Sequence, residues 1–369
     1  MRTDQDGAGL PAGPDAASVR AAVDAALDRY LDERGREAGE LDPDFGRDLV
    51  GRLRDFTLGT GKRLRPLLGW WGWIAGGGAP RGPTAEAALR ACAALELLQT
   101  FALVHDDVMD GSPLRRGTSS VHAAYAAEHR AGSCAGEDRR YGEAMAVLTG
   151  DLALAWADDL LDAALADLPT RAGARRVWSW VRTEVMAGQF LDLRGQARRE
   201  RSESGALRAD RFKTAAYTAE RPLHLGAAMA AAPEPTVRAL RSYGQDVGVA
   251  FQLRDDLRDA YGAPERTGKQ PGEDLARGRN TLLLAAGLRL ARERGDATAA
   301  RVLGRVGDAA DPTDPALAAR VLDALGAREL VLRRCRELSA RGVAHLAALP
   351  LDPDVMEGLR SLAQAAARP

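Results

Sequence analysis

Cysteine, aromatic side chains and lysine are all scarce in this 369-residue chain. The three cysteines, Cys92, Cys134 and Cys335, stand far apart in no metal-ligand spacing, which argues against a disulfide framework and for a reducing compartment. Aromatic residues make up 5% of the chain, and with Ala, Leu and Arg dominant the composition favours helices over strands. Excess charge is missing too: 51 basic against 52 acidic residues leave a net charge of −1, so nothing points to a nucleic-acid partner or a wholly acidic substrate. No stretch reads as a secretory leader or as an apolar run of about 18 residues that would span a bilayer, and a cytoplasmic location is expected.

Helical periodicity fills the chain instead. Residues 1–14, "MRTDQDGAGLPAGP", are polar and rich in Gly and Pro and are expected to be disordered. From there Val19, Val23, Leu27 and Leu31 fall on one helical stripe. Further helices are expected over 44–57, 63–75, 84–110, 118–131, 141–167, 171–197, 207–231, 234–261, 276–294 and 314–347, separated by breakers such as "GGGAPRGP" and "AAPEP". No convincing alternating strand and no repeat is seen. The expected fold is a single all-α domain over residues 15–369.

Two stretches crowd aspartates at the end of apolar helical runs: "VHDDVMD", with Asp106, Asp107 and Asp110, and "QLRDDLRDAYG", with Asp255, Asp256 and Asp259. Residues four apart share a helix face, so Asp106 and Asp110 project together, as do Asp255 and Asp259. Such carboxylates repel unless a cation lies between them, and oxygen ligands without a nearby cysteine suit Mg²⁺ better than zinc. A third match, Asp158, Asp159 and Asp162 in "ADDLLDAAL", is followed by no basic or Gly-rich loop and reads as an ordinary surface.

Lysine usage gives an independent pointer. Of the 51 basic residues only Lys62, Lys213 and Lys269 are lysines, each in a Gly-bordered loop or beside a Thr. A compact ammonium acts as a point charge on phosphate, whereas a guanidinium is a bulkier planar fork. Arg65 follows Lys62 by one helical turn, and Arg115 and Arg116 follow the first aspartate set. Two cationic clusters and two acidic ones suggest two phosphorylated ligands, of which one needs metal.

The ordered set "GKRLRP", "LLQTFALVHDDVMD" with "LRRG", "MAGQFLDL", "KTAAYT", "FQLRDDLRD" and "GKQPGEDLARGRNT" resembles the trans-isoprenyl diphosphate synthases, the polyprenyl synthetase family, over about residues 60–285. The resemblance implies an isoprenoid synthase-type helical bundle around a central cavity, usually a homodimer. It implies that Asp106 and Asp110 bind two Mg²⁺ ions and that Asp255, helped by Asp259, binds a third. Arg115, Lys213 and Lys269 would complete the charge shell of an allylic diphosphate. Lys62, Arg65, Gln99 and Arg116 would form the metal-free site for isopentenyl diphosphate. Thr214 and Gln252 match positions facing the developing allylic cation, and Gln189 and Asp192 match cavity-lining positions. Arg279 stands where the family often has Lys, and Ser119 where it often has Pro; neither change removes a charge.

Phe101 lies five residues before Asp106, about 7.5 Å along a helix axis. In the family a ring there followed by a small residue, here Ala102, resembles enzymes that stop at geranylgeranyl diphosphate; farnesyl diphosphate is the nearby alternative. A class I terpene cyclase would mix Asn, Ser or Thr, and Glu in its second metal motif, where this chain has "DDLRD". A non-catalytic synthase subunit would have lost metal ligands, and none is missing.

Overall fold

The computed structural model describes residues 15–115, 117–262, 272–308 and 310–368, and these are all-α apart from one short hairpin. Residues 1–14, Arg116 and Lys269 lie outside the described residues. The chain divides into two compact units: residues up to Val177 with Pro222–Pro233, and Trp178–Arg221 with the residues from Glu234 onward.

The first unit begins with α1 (Ala16–Leu41), whose N-terminus is capped by Asp15 accepting from the Ala17 and Ser18 N–H groups. The expected stripe of Val19, Val23, Leu27 and Leu31 is fully buried. A wide π-helical turn, Phe45–Val50, leads into α2 (Gly51–Leu58), followed by α3 (Leu64–Ala75) and α4 (Pro83–Asp110). Helix α4 starts with Pro at its first position, where no N–H is needed, and is apolar on nearly every face from Ala85 to Val104. Such a helix belongs inside a core, and α6 (Asp138–Ala166) packs along it. The expectation that no stretch is long and apolar enough to cross a membrane is corrected here: α4 passes by length and composition, yet 78% of its most apolar stretch is buried in the protein, as in a core helix.

Between α4 and α5 (Val121–Ala131) lies an antiparallel hairpin pairing Leu114 with Ser119 and Arg115 with Thr118. These two-residue strands delay α5 by three residues relative to the helix expected from 118. Val104 of α4, Val121 and Tyr125 of α5 and Ala146 of α6 close a buried cluster behind the hairpin.

In the second unit the expected helix 207–231 is three segments: α8 (Glu203–Asp210), a π-helical stretch Arg211–Glu220, and α9 (Arg221–Met229), which crosses into the first unit at Pro222. The Arg221 N–H bonds back to the Ala216 carbonyl, five residues away, so the helix is locally wider than an α-helix. Helix α7 (Arg171–Ala197) runs from the first unit into the second. Helix α10 (Glu234–Tyr261) is central, packing against Arg211–Glu220, Ala327–His345 and Pro353–Ala367; Tyr243 is fully buried and its hydroxyl donates to the Leu359 carbonyl at 2.7 Å.

Two expected helices are interrupted. Over 276–294 the chain forms Glu273–Arg277 and Leu282–Glu293, parted at Gly278, and over 314–347 it forms Pro315–Ala324 and Ala327–His345, parted at Gly326; both glycines are left-handed. Helices Ala297–Gly304 and Pro353–Ala367 were not expected, although Asp352 before Pro353 is a start signal.

Within the first unit α9 lies so close to α3 that a Cβ on Gly226 would sit 1.9 Å from the Gly69 carbonyl oxygen. Gly226→Ala is therefore expected to lower stability by about 1–3 kcal/mol. Chemical denaturation checks this, and an unshifted midpoint would show that the two helices separate freely.

Candidate active site

Helix α4 stops because Gly111 turns left-handed and its N–H caps the Asp107 and Val108 carbonyls. Asp106, Asp107 and Asp110 thus occupy the last turn, at the negative end of the helix dipole, with no basic residue in that turn. Each carboxylate there is disfavoured by about 0.3–1 kcal/mol. Asp107 is fully buried, and the hairpin brings Arg115 onto it: Nε donates to Oδ1 at 2.8 Å, Nη2 contacts the same oxygen, and Nη2 lies 3.4 Å from Asp106 Oδ2. Burial pushes the Asp107 carboxyl above the usual range, and Arg115 opposes this. The second oxygen, Oδ2, has no hydrogen-bond partner.

The other sequence-derived residues of this unit are spread along α2–α4. Lys62 is exposed in the loop before α3, Arg65 is half-buried in the first turn of α3, and Gln99 is buried on α4 two turns before Asp106. Phe101 is 8% exposed, its ring edge-on to His105 at 4.8 Å, while Ala102 is half-buried. His105 is braced in turn, with Nε2 3.2 Å from the Val147 carbonyl and 3.6 Å from Asp151, which agrees with a structural role.

In the second unit Asp255, Asp256 and Asp259 occupy the end of α10. Asp255 is exposed and receives Arg254 Nη2 at 2.9 Å; Arg254 is itself buried, stacked over Phe251 and donating to the Ala365 carbonyl. Asp259 holds the segment after the helix, accepting the Asp274 N–H on Oδ2 at 2.9 Å and the Gly272 N–H on its carbonyl. Asp256 points inward and accepts Gln252 Nε2 at 2.6 Å, which fixes the amide so that Gln252 Oε1 accepts the Thr214 hydroxyl. Burial raises Asp256 and the nearby Asp210 well above the ordinary carboxylate range, with Asp210 adding to the shift of Asp256 and Asp192 to that of Asp210.

Lys213 and Thr214 ride on the π-helical stretch, which approaches α7 because Gly188 is there: a Cβ on Gly188 would meet the Lys213 backbone nitrogen at 2.3 Å. Lys213 Nζ donates to Asp192 Oδ2, and Arg279 divides its fork between Asp192 Oδ2 and Asp274 Oδ1, both at 3.0 Å. Lysine at 279 would lack the planar fork that bridges two carboxylates. Burial acts to raise Asp192, but Arg279 and Lys213 outweigh it and hold the carboxyl below its usual range. Gln189 lies one turn before Asp192 on α7. The third aspartate match behaves as a surface: Asp162 pairs with Arg171 and Arg175, and Asp159 is exposed.

Both acidic turns fit a hard divalent cation. Their donors are carboxylate oxygens alone, and they stand where helix dipoles already favour positive charge. Among the described residues no three His, Cys, Asp or Glu side chains form a ready cage. Magnesium does not need one, since it keeps waters and shares substrate phosphates.

The sequence profile of the polyprenyl synthetases matches residues 49–318. The chain belongs to the polyprenyl synthetase family. It is 33% identical to a geranylgeranyl diphosphate synthase of Sulfolobus acidocaldarius over 64% of this chain and 66% of that one. It is 30% identical to a (2E,6E)-farnesyl diphosphate synthase of Mycobacterium bovis over 85% and 80%. A geranylgeranyl pyrophosphate synthase of Corynebacterium glutamicum, solved with isoprenyl diphosphate and magnesium, superimposes with a TM-score of 0.88 at 38% identity, covering 96% of this chain and 99% of that one. The fold is accordingly that of the helical isoprenoid synthases.

Sequence reasoning had left Asp192 without a definite role, had named Asp256 in the second aspartate set without a role of its own, and had passed over Asp210 and Asp274 in this polyprenyl synthetase. The signal for Asp210 was available, three residues before Lys213 in "RADRFKT". Asp192 gives the site a pH signature: its depressed pKa adds stability that is complete above about pH 3.9 and is lost as pH falls through the lower folded value. Between about pH 5 and pH 2 the wild-type unfolding midpoint is therefore expected to fall further than that of Asp192→Asn. Parallel curves in a thermal melt series would show that Lys213 and Arg279 do not stabilise this carboxylate.

Proposed function

We propose that this polyprenyl synthetase is a cytoplasmic, homodimeric, magnesium-dependent geranylgeranyl diphosphate synthase, joining isopentenyl diphosphate head-to-tail to allylic prenyl diphosphates. The observation that carries the reading is the ending of α4 and α10 in acidic turns, each with cationic side chains beside it in its own unit.

Asp106 and Asp110 would hold magnesium on α4, and Asp255 with Asp259 on α10, three ions in all. When bound, magnesium supplies positive charge to the diphosphate leaving group as the allylic carbon–oxygen bond breaks. Arg115, Lys213, Lys269 and Arg279 add to that charge, Lys213 and Arg279 by exchanging Asp192 for phosphate oxygens. Thr214 and Gln252 offer oxygens to the allylic cation, in an orientation that Asp256 fixes through the Gln252 amide. Lys62, Arg65, Gln99 and Arg116 bind isopentenyl diphosphate without metal, and Gln189 lines the cavity. The isopentenyl double bond attacks the cation, a carbon–carbon bond forms, and the proton lost goes to the departing diphosphate. Apolar walls keep water from the cation, which it would quench to an alcohol. Phe101 ends the space for the growing tail, and the small Ala102 leaves room for twenty carbons before it.

Purified protein with Mg²⁺, isopentenyl diphosphate and each of dimethylallyl, geranyl and farnesyl diphosphate is expected to give a twenty-carbon product, and none with EDTA. A hydrocarbon formed without isopentenyl diphosphate would instead identify a cyclase. Asp106→Asn and Asp255→Asn are expected to lower kcat by about 10²–10⁴-fold, and Asp159→Asn, on the third match, by less than about twofold. Phe101→Ala is expected to lengthen the product; an unchanged chain length removes it as the floor.

A further inference from the structure

The junction of α2 and α3 carries three basic residues in different settings. Lys62 is exposed and forms no ion pair among the described residues, Arg63 is buried, and Arg65 is half-buried in the first turn of α3. The Arg63 side chain is 3% exposed, yet it is charged and uses all three of its nitrogens. Nε donates to Asp24 of α1 at 2.6 Å, Nη1 to Glu96 of α4 at 3.1 Å, and Nη2 to the carbonyls of Leu58 and Gly59 at 3.1 and 3.2 Å. Those carbonyls belong to the end of α2, where helical partners run out. Its backbone is left-handed, with φ +46°, a conformation that residues other than glycine rarely adopt, and its carbonyl accepts from the Leu67 N–H in the first turn of α3.

We propose that Arg63 is a positioning residue for the metal-free diphosphate site, setting the direction in which Lys62 and Arg65 present their charges; this rests on the function proposed above. Three observations carry it. The left-handed turn at Arg63 sends its own side chain inward while Lys62, its neighbour, stays at the surface. The guanidinium ties the loop at once to α1, to the end of α2 and to α4, and its partner Glu96 lies one turn before Gln99, so the segment that carries Lys62 and Arg65 is referenced to the helix carrying the third proposed contact. The two carboxylates neutralise Arg63 itself, so the exposed positive charge of the loop is that of Lys62. A guanidinium buried against Glu96, with Asp24 half-exposed, and a left-handed backbone both disfavour folding, and their coincidence at one residue beside a binding loop is the pattern of strain kept for function.

The test uses the full chain with Arg63→Lys, Arg63→Gln and the milder Asp24→Asn, which keeps the Glu96 and carbonyl contacts. Both Arg63 variants are expected to raise KM for isopentenyl diphosphate about tenfold, while kcat at saturation and KM for the allylic diphosphate stay within about twofold. Asp24→Asn is expected to move the same constant the same way by about threefold. Unchanged KM in the folded variants, or equal losses for both substrates, overturns the positioning role. Should the Arg63 variants fail to fold, the same comparison on Asp24→Asn alone decides. Absence of condensation by the wild type counts against the proposed function instead. Titration with inorganic diphosphate in metal-free buffer then judges Arg63 separately: about tenfold weaker binding by Arg63→Gln supports its role, and wild-type affinity overturns it.

Discussion

Negative charge gathered at the C-terminal end of a helix is disfavoured twice, by the helix dipole and by mutual repulsion among the carboxylates. This protein does so at the end of α4 and again at the end of α10, and much of the local structure answers that strain. On α4 the reply is the hairpin, which carries Arg115 back over Asp107 and Asp106. On α10 it is Arg254, anchored on Phe251 and the Ala365 carbonyl, with the segment after the helix held by Asp259. In both cases the middle aspartate turns inward and its neighbours stay nearer the surface, so each "DD" pair divides into an inward carboxylate and a more accessible one.

The π-helical stretch Arg211–Glu220 is the second device. A helix with one extra residue per turn rotates its side chains relative to an α-helix of the same sequence. Here it sets Lys213 against Asp192 and Thr214 against Gln252 at once, with Gly188 on α7 giving the backbone its approach. Asp210, at the end of α8, lies buried beside this arrangement and is held toward its neutral form, which spares the site one more anion among Asp192, Asp256 and Asp274.

The helical class and most helix boundaries were legible because apolar spacing writes them directly, as Val19, Val23, Leu27 and Leu31 do on α1 and the uninterrupted apolar face does on α4. The aspartate sets and the lysines were legible because they break that pattern in a composition otherwise served by arginine. The features that stayed hidden each have a physical cause. A π-helical widening leaves the apolar spacing nearly unchanged, so 207–231 read as one helix. Two-residue strands at 114–119 are shorter than any alternation that could be seen. A buried acid such as Asp210 looks like a surface residue on a helix until its neighbours are known, and nothing in the spacing of "GKRLRP" singles out Arg63 as the cation that faces the interior. The third aspartate match was separable only by the lack of a basic or Gly-rich loop after it, and its ion pairs with Arg171 and Arg175 are those of a solvated face.

Lys213 and Arg279 are already occupied, by a carboxylate that both of them grip. A newcomer has to displace Asp192, and one carrying a single diffuse charge gains little by doing so. Under the function proposed above, the pair would act as a threshold rather than a trap: dilute chloride or acetate would leave it shut, and an anion with several closely spaced oxygens would offer both cations more than they give up. Selection among solutes would then begin in the resting protein, before any chemistry.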